Sequence, residues 1–167
     1  IIPLSKTFFP LDPQSLSIFK SYCIFAVSYL ARPLGAILFG TLADTVGRKE
    51  TLILSIFSMS LATFTIGIIP SYERIGLWAP ALLVLCRLIQ GLCLPGEFNT
   101  SVAFLLENFG QKAPYKACLW IPFAASLCMV LGGVSSSWAQ SPHSPFEAWR
   151  YLFMLASFGG LLAWWLR

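Results

Sequence analysis

The sequence predicts an all-α protein, a polytopic bundle of transmembrane helices. Three observations carry that prediction. Hydrophobic residues make up 57% of the 167 residues and charged residues 11%, against roughly 25% charged in an ordinary soluble domain. Uninterrupted apolar runs of about 20 residues, the length needed to cross a hydrocarbon core, recur along the chain. The linkers between them are short and hold the turn formers Pro70, Gly76, Pro80, Gly110, Pro114, Pro142 and Pro145. A soluble fold of this size has too little interior to hide so much apolar surface.

The elements follow in order. The first span covers residues 16–42 and contains one charge, Arg32. The second covers 52–69, uncharged between Glu50 and Glu73. The third, 81–106, holds Arg87 and Glu97, and the fourth, 117–139, holds no charge. The fifth, 151–166, is short and bracketed by Arg150 and Arg167. None shows the period-two alternation of a barrel strand, and each is too long to be one. Short linkers make sequential helices antiparallel neighbours in one bundle, with no second domain. The tryptophans Trp78, Trp120, Trp138, Trp149, Trp164 and Trp165 gather near span ends, as an interfacial belt would place them.

Composition and motifs also exclude functions. The net charge is +4, yet the longest basic cluster is Arg48-Lys49, so a nucleic-acid-binding stripe is absent. The five cysteines lie in apolar runs, with no C-x-x-C spacing, and are expected to be buried thiols. Neither a metal site nor a cofactor is indicated. No G-x-S-x-G, H-E-x-x-H or Walker sequence occurs, so an enzyme is not expected. His143 lies in a Ser-Pro-His-Ser-Pro loop and is read as a solvated loop residue. No apolar leader pattern opens the chain.

Charges inside apolar spans are the candidate functional groups. Arg32 sits mid-span, where a charge costs about 2.5–3.5 kcal/mol on insertion scales and should face protein or a water-filled cavity; snorkelling to an interface is the alternative. Arg87, Gln90, Leu94, Glu97 and Ser101 fall within an arc of about 80° on one helix and should line the bundle interior. Pro95 removes a backbone donor and crowds the Gly91 carbonyl, so a kink is expected, with Gly91 and Gly96 permitting close helix contact. Arg32 lies about 18 Å from the Asp44 end of its helix, and Glu97 about 15 Å from the Glu107 end of its own. The two helices are expected to run in opposite directions, so depth counted from their shared end predicts an Arg32–Glu97 ion pair.

The segment Gly40-Thr41-Leu42-Ala43-Asp44-Thr45-Val46-Gly47-Arg48-Lys49 is a charged turn between two apolar runs. Here Gly40 would let a neighbouring helix approach, and Gly47 would permit the sharp turn. Its order, Gly-x-x-x-Asp-x-x-Gly-Arg-Lys, resembles the signature between helices two and three of major facilitator superfamily transporters, with Thr45 where that signature usually has a base. The segment Ala31–Gly40 is similar to the second helix of the metabolite:proton symporter branch, which includes proline/betaine, α-ketoglutarate, citrate and shikimate carriers. The Phe8-Phe9-Pro10 and Asp12-Pro13 segments resemble the loop before it. Arg87-Leu88-Ile89-Gln90-Gly91, then Gly96-Glu97, resembles the fourth-helix pattern, with Pro95 in place of a glycine. Trp149-Arg150, the apolar run after it and Arg167 resemble the sixth helix.

That resemblance implies that residues 1–167 are a partial amino-terminal bundle, helices two to six of the six in that half. It implies a multi-pass protein of a cell membrane, the bacterial inner membrane, with the Asp44–Lys49 turn in the cytoplasm. The implied function is proton-coupled symport of a small polar metabolite, proline/betaine or an organic acid, by alternating access. Arg32, Arg87 and Gln90 would bind substrate and Glu97 would take the proton, while Gly40, Asp44, Gly47, Arg48 and Lys49 form the gating turn. The implied partners are the small-molecule substrate, the proton, the lipid bilayer, helix one and a carboxy-terminal half. The chain opens on Ile1, which also suggests a fragment. The alternative is a non-transporting membrane protein, a remnant of a broken gene or a scaffold subunit.

Overall fold

A computed structural model describes residues 5, 7–109, 114–139, 141 and 148–165. The helices are α1 (Gln14–Thr45), α2 (Arg48–Ile68), the single turn α3 (Tyr72–Ile75), α4 (Trp78–Phe109), α5 (Pro114–Ala139) and α6 (Ala148–Trp165). No strand occurs among the described residues, and the structure is an all-α bundle of apolar helices. Among the described residues, four segments are long and apolar enough to cross a membrane: Gln14–Thr45, Arg48–Ile68, Trp78–Val102 and Pro122–Ala139. The apolar part of α6, Ala148–Leu162, is shorter. The 18 residues of α6 extend about 27 Å, just under a 30 Å core.

All five expected spans overlap helices, and α1 and α4 run past the apolar runs at both ends, whereas α2 stops one residue short of position 69. Charged and polar residues at each end, such as Asp44 and Thr45 on α1 or Arg48 and Lys49 on α2, continue the helices beyond the apolar runs. Hydropathy marks what lies in lipid, whereas backbone hydrogen bonding carries a helix on into the interface. The linker at 70–80 holds α3, ended by Gly76 at φ 57°. The turn after α1 depends on Gly47 at φ 121°, a region that residues with a Cβ adopt at a cost. The expectation for Gly47 therefore holds.

The core lies at the end of the bundle where α2 finishes and α4 and α6 begin. Phe8, Ile24, Ala62, Ile66, Ile69, Ala79, Leu83, Cys86 and Trp149 form it. Phe8 is completely buried and meets the Trp149 ring edge-on at 6.2 Å. The segment before α1 thus plugs the bundle end. Ser17 Oγ donates to the Phe9 carbonyl at 2.9 Å, and Lys20 pairs with Asp12 at 2.6 Å. Trp149 departs from the interfacial belt, being 5% exposed, while Trp78 at 73% fits it.

Helix α4 is central and packs against both α1 and α2, while α2 also packs on α6. By contrast, α5 lies outside this group, with its described side chains almost all exposed. Outward faces carry Leu30, Leu34, Ile37, Leu127, Met129 and Leu155, an apolar surface far beyond what a soluble monomer presents. Hydroxyls on such faces are satisfied by their own helix: Thr65 donates to the Leu61 carbonyl and Ser126 to that of Pro122, each at 2.8 Å.

Candidate functional site: the seam between the first and fourth helices

Helices α1 and α4 meet through small residues. A Cβ at Gly91 would strike the Ser28 carbonyl, and one at Gly35 the Leu92 backbone. At Gly96 it would lie 2.6 Å from the Phe39 ring. The contacts rise together along both chains, so α1 and α4 run parallel. This corrects the antiparallel assumption: one span separates them, and alternation returns the chain to the same direction. Gly91 and Gly96 do permit close approach as expected. Among the described residues, nothing lies within 4 Å of a Cβ built at Gly40, so it makes no such contact within this bundle. The residue with that role on α1 is Gly35, five residues earlier.

Ser28, Arg32, Gly35 and Phe39 recur at helical spacing along this face of α1. Arg32 is half-buried, and its guanidinium lies over the Tyr29 ring at 3.9 Å. Its Nε and the Ser28 hydroxyl are both buried without a hydrogen-bond partner. Two donors one turn apart therefore face a helix seam with no acceptor of their own.

The expected Arg32–Glu97 pair is not formed. Phe39 is level with Gly96, which puts Arg32 eight residues, about 12 Å, away from the Glu97 level. Helical side chains lean toward their amino terminus, and stacking on Tyr29 carries the guanidinium further from Glu97. The depth count failed because α4 continues further past the Phe39–Gly96 level than α1 does, so the two helix ends are not a common reference.

The polar stripe of α4 borders its buried face. Gln90 is buried, and Arg87, Leu94, Glu97 and Ser101 are half-buried, while Cys86, Gln90, Cys93, Gly96 and Thr100 mark the buried line itself. Arg87 Nη1 donates to Gln90 Oε1 at 3.1 Å. Gln90 Nε2 donates to Thr63 Oγ1 on α2 at 2.9 Å, and Thr63 Oγ1 donates to the Met59 carbonyl at 2.8 Å. Arg87 and Gln90 are thus brought together, apart from Arg32. Sequence reasoning missed Ser28, Gly35, Phe25 and Thr63. Spacing from Arg32 could have found Ser28 and Gly35, whereas cross-helix partners leave no trace in one sequence. Helix α4 continues through Pro95 without interruption.

At the other end, Asp44 is exposed in the last turn of α1, while Arg48 and Lys49 open α2. These signs oppose the helix macrodipole at both ends. Helix stability therefore does not explain these charges. Cys86 and Cys93 are buried as expected, but Cys23 and Cys128 are exposed on outward faces. His143 lies outside the described residues.

The match to known proteins covers the whole bundle. The family described as "Sugar (and other) transporter" matches residues 7–166. The chain belongs to this family, within the major facilitator superfamily. It is 36% identical over 168 residues to the proline/betaine transporter of Salmonella typhimurium, an alignment covering 98% of this chain and 34% of that protein. It is 34% identical over 164 residues to the alpha-ketoglutarate permease of Escherichia coli, covering 96% and 38%. The shikimate transporter of Escherichia coli is 34% identical over 147 residues, covering 87% and 34%. This chain therefore spans about a third of the length of the curated relatives it matches. No solved structure matches it. The relatives are named as transporters, not enzymes, and the chain is a multi-pass membrane protein of this transporter family.

Proposed function

We propose that this chain is part of the amino-terminal bundle of a secondary transporter that carries a small polar metabolite by proton symport and alternating access. The observation that carries the reading is the pair of buried donors on the α1–α4 seam, Ser28 Oγ and Arg32 Nε. A carboxylate accepts from both, and charge-assisted bonds of this kind are the strong ones. An arginine at membrane depth is a functional group by default. Proline, betaine and organic acids all present a carboxylate, and relatives named for such substrates support the class.

Glu97 is the proposed proton acceptor, since it lies in the apolar span of the helix that forms the other wall of the seam. Arg87 and Gln90 frame the site from a fixed network, and a bend at Pro95 with Gly91 and Gly96 shapes its wall. Asp44, Arg48 and Lys49 are proposed to gate the cytoplasmic side by pairing with a second bundle. A pathway between two rocking halves needs that second bundle, and relatives about three times as long provide the sequence for it. Helix one and a carboxy-terminal half are therefore the proposed partners, and the bacterial inner membrane the proposed location.

The test is uptake of labelled proline, betaine and α-ketoglutarate into vesicles under an imposed proton gradient. Co-expressed with a matching first helix and carboxy-terminal half, the chain is expected to support uptake that Arg32→Gln abolishes. Uptake that survives Arg32→Gln would remove Arg32 from the site. Reconstitution without any uptake would favour the non-transporting alternative.

A further inference from the structure

The guanidinium of Arg87 is enclosed by aromatic faces from two other helices. It lies 4.2 Å from the centre of the Phe25 ring on α1 and 5.8 Å from that of Phe153 on α6. It also donates to Gln90 at 3.1 Å, and Gln90 reaches Thr63 on α2. Four helices, α1, α2, α4 and α6, thus meet at one cation. No carboxylate touches it among the described residues.

We propose that Phe25 and Phe153 are positioning residues that form an aromatic seat for Arg87, and that this seat fastens the four helices into one rigid unit. The chemistry accounts for each part. A ring face is negative, and it attracts a cation within about 6 Å most strongly where water is excluded. Guanidinium is planar, so its faces can rest on rings while its edge donates hydrogen bonds; an ammonium group offers no such division. The edge bond orients the Gln90 amide with its oxygen toward Arg87, leaving its nitrogen for Thr63. Thr63 then has only the Met59 carbonyl left to donate to. The hydrogen bonds run in one direction, from Arg87 to Gln90 to Thr63 to the Met59 carbonyl, and Arg87 sets that direction. A cation seated in this way positions Gln90 and the helices, while its own Nε stays buried without a hydrogen-bond partner.

The test uses the full 167-residue chain in nanodiscs, with Phe25 replaced by mono-, di- and trifluorophenylalanine. Fluorine withdraws charge from the ring face and leaves its shape nearly unchanged, so folding is preserved while the attraction fades. The unfolding midpoint in sodium dodecyl sulfate is expected to fall with each fluorine. The trifluoro variant should lose about tenfold in the folded-to-unfolded ratio at the original midpoint. In an Arg87→Met background the same series is expected to be flat. A flat series with Arg87 present, or equal slopes in both backgrounds, would overturn the seat and leave only apolar packing between the rings and Arg87.

Discussion

The Ser28 backbone on α1 rests directly against Gly91 on α4, with no room for a side chain between them. The closeness follows from small residues at the crossing, and in lipid it is van der Waals packing that holds such a seam together. Gly91→Ala is therefore expected to push the two backbones apart and destabilise the bundle by about 1–3 kcal/mol, the range of an overpacked core. Gly35→Ala should behave alike, because its added methyl meets the Leu92 backbone. Gly40→Ala is the control: its Cβ meets nothing, and alanine in an open helical position gains up to about 1 kcal/mol in propensity. Detergent unfolding of the three variants checks this, and equal effects at positions 40 and 91 would contradict the seam.

Phe8 gives a second test at the bundle end. The ring is fully buried against Trp149 and the ends of α2 and α4. Phe8→Ala should cost about 3–5 kcal/mol, as large aromatic truncations do. Leu11 in the same segment is 81% exposed, and Leu11→Ala should change stability by no more than about 0.5 kcal/mol. Similar losses in the two variants would mean that the segment is not seated as described.

Much of this was legible in one sequence. Apolar runs gave the helices, because bilayer thickness fixes the length of a span. Gly47 could be read as a turn glycine, and Gly91 and Gly96 as contact glycines, from position alone. Depth could not be read in the same way. Arg32 and Glu97 lie within one turn of the same depth from their own helix ends, yet α4 continues well beyond the level of Phe39. Register between helices is set by packing, such as Phe39 against Gly96, and packing is invisible to a count along one chain. The same holds for Arg87: its stripe was visible, but Phe25, Thr63 and Phe153 come from three other helices. Trp149 was misread because a belt tryptophan and a core tryptophan look alike until Phe8 is seen to cover one of them.

Membrane topology is testable through the two ends of α2. Lys49 and Arg74 are exposed and flank that helix on opposite sides. Single cysteines at 49 and 74, in a chain freed of its own cysteines, are expected to react with an impermeant maleimide from opposite faces of the membrane. The resemblance puts position 49 in the cytoplasm, with 74 and 143 outside. Labelling of 49 and 74 from one face would mean that α2 does not cross.

The parallel register of α1 and α4 decides the last prediction. Glu97 lies one residue beyond the level of Phe39, and Arg32 seven residues before it, a separation of about 12 Å along the axis. The Arg32 guanidinium also leans onto Tyr29, at 3.9 Å, away from Glu97. Breaking a buried pair by removing one partner costs about 3–5 kcal/mol, and exchanging the charges recovers much of it. Without such a pair the two sites act independently and their effects add. The double change Arg32→Glu with Glu97→Arg is therefore expected to express in the membrane no better than the singles predict by addition. Tyr29→Leu, which removes the ring under Arg32, should weaken the effect of Arg32→Gln by about 0.5–1 kcal/mol, the worth of an exposed cation–π contact. Recovery of expression in the charge swap would show that Arg32 and Glu97 come together in another conformation of the protein. It would also move the proton-accepting carboxylate to within reach of the substrate-binding arginine.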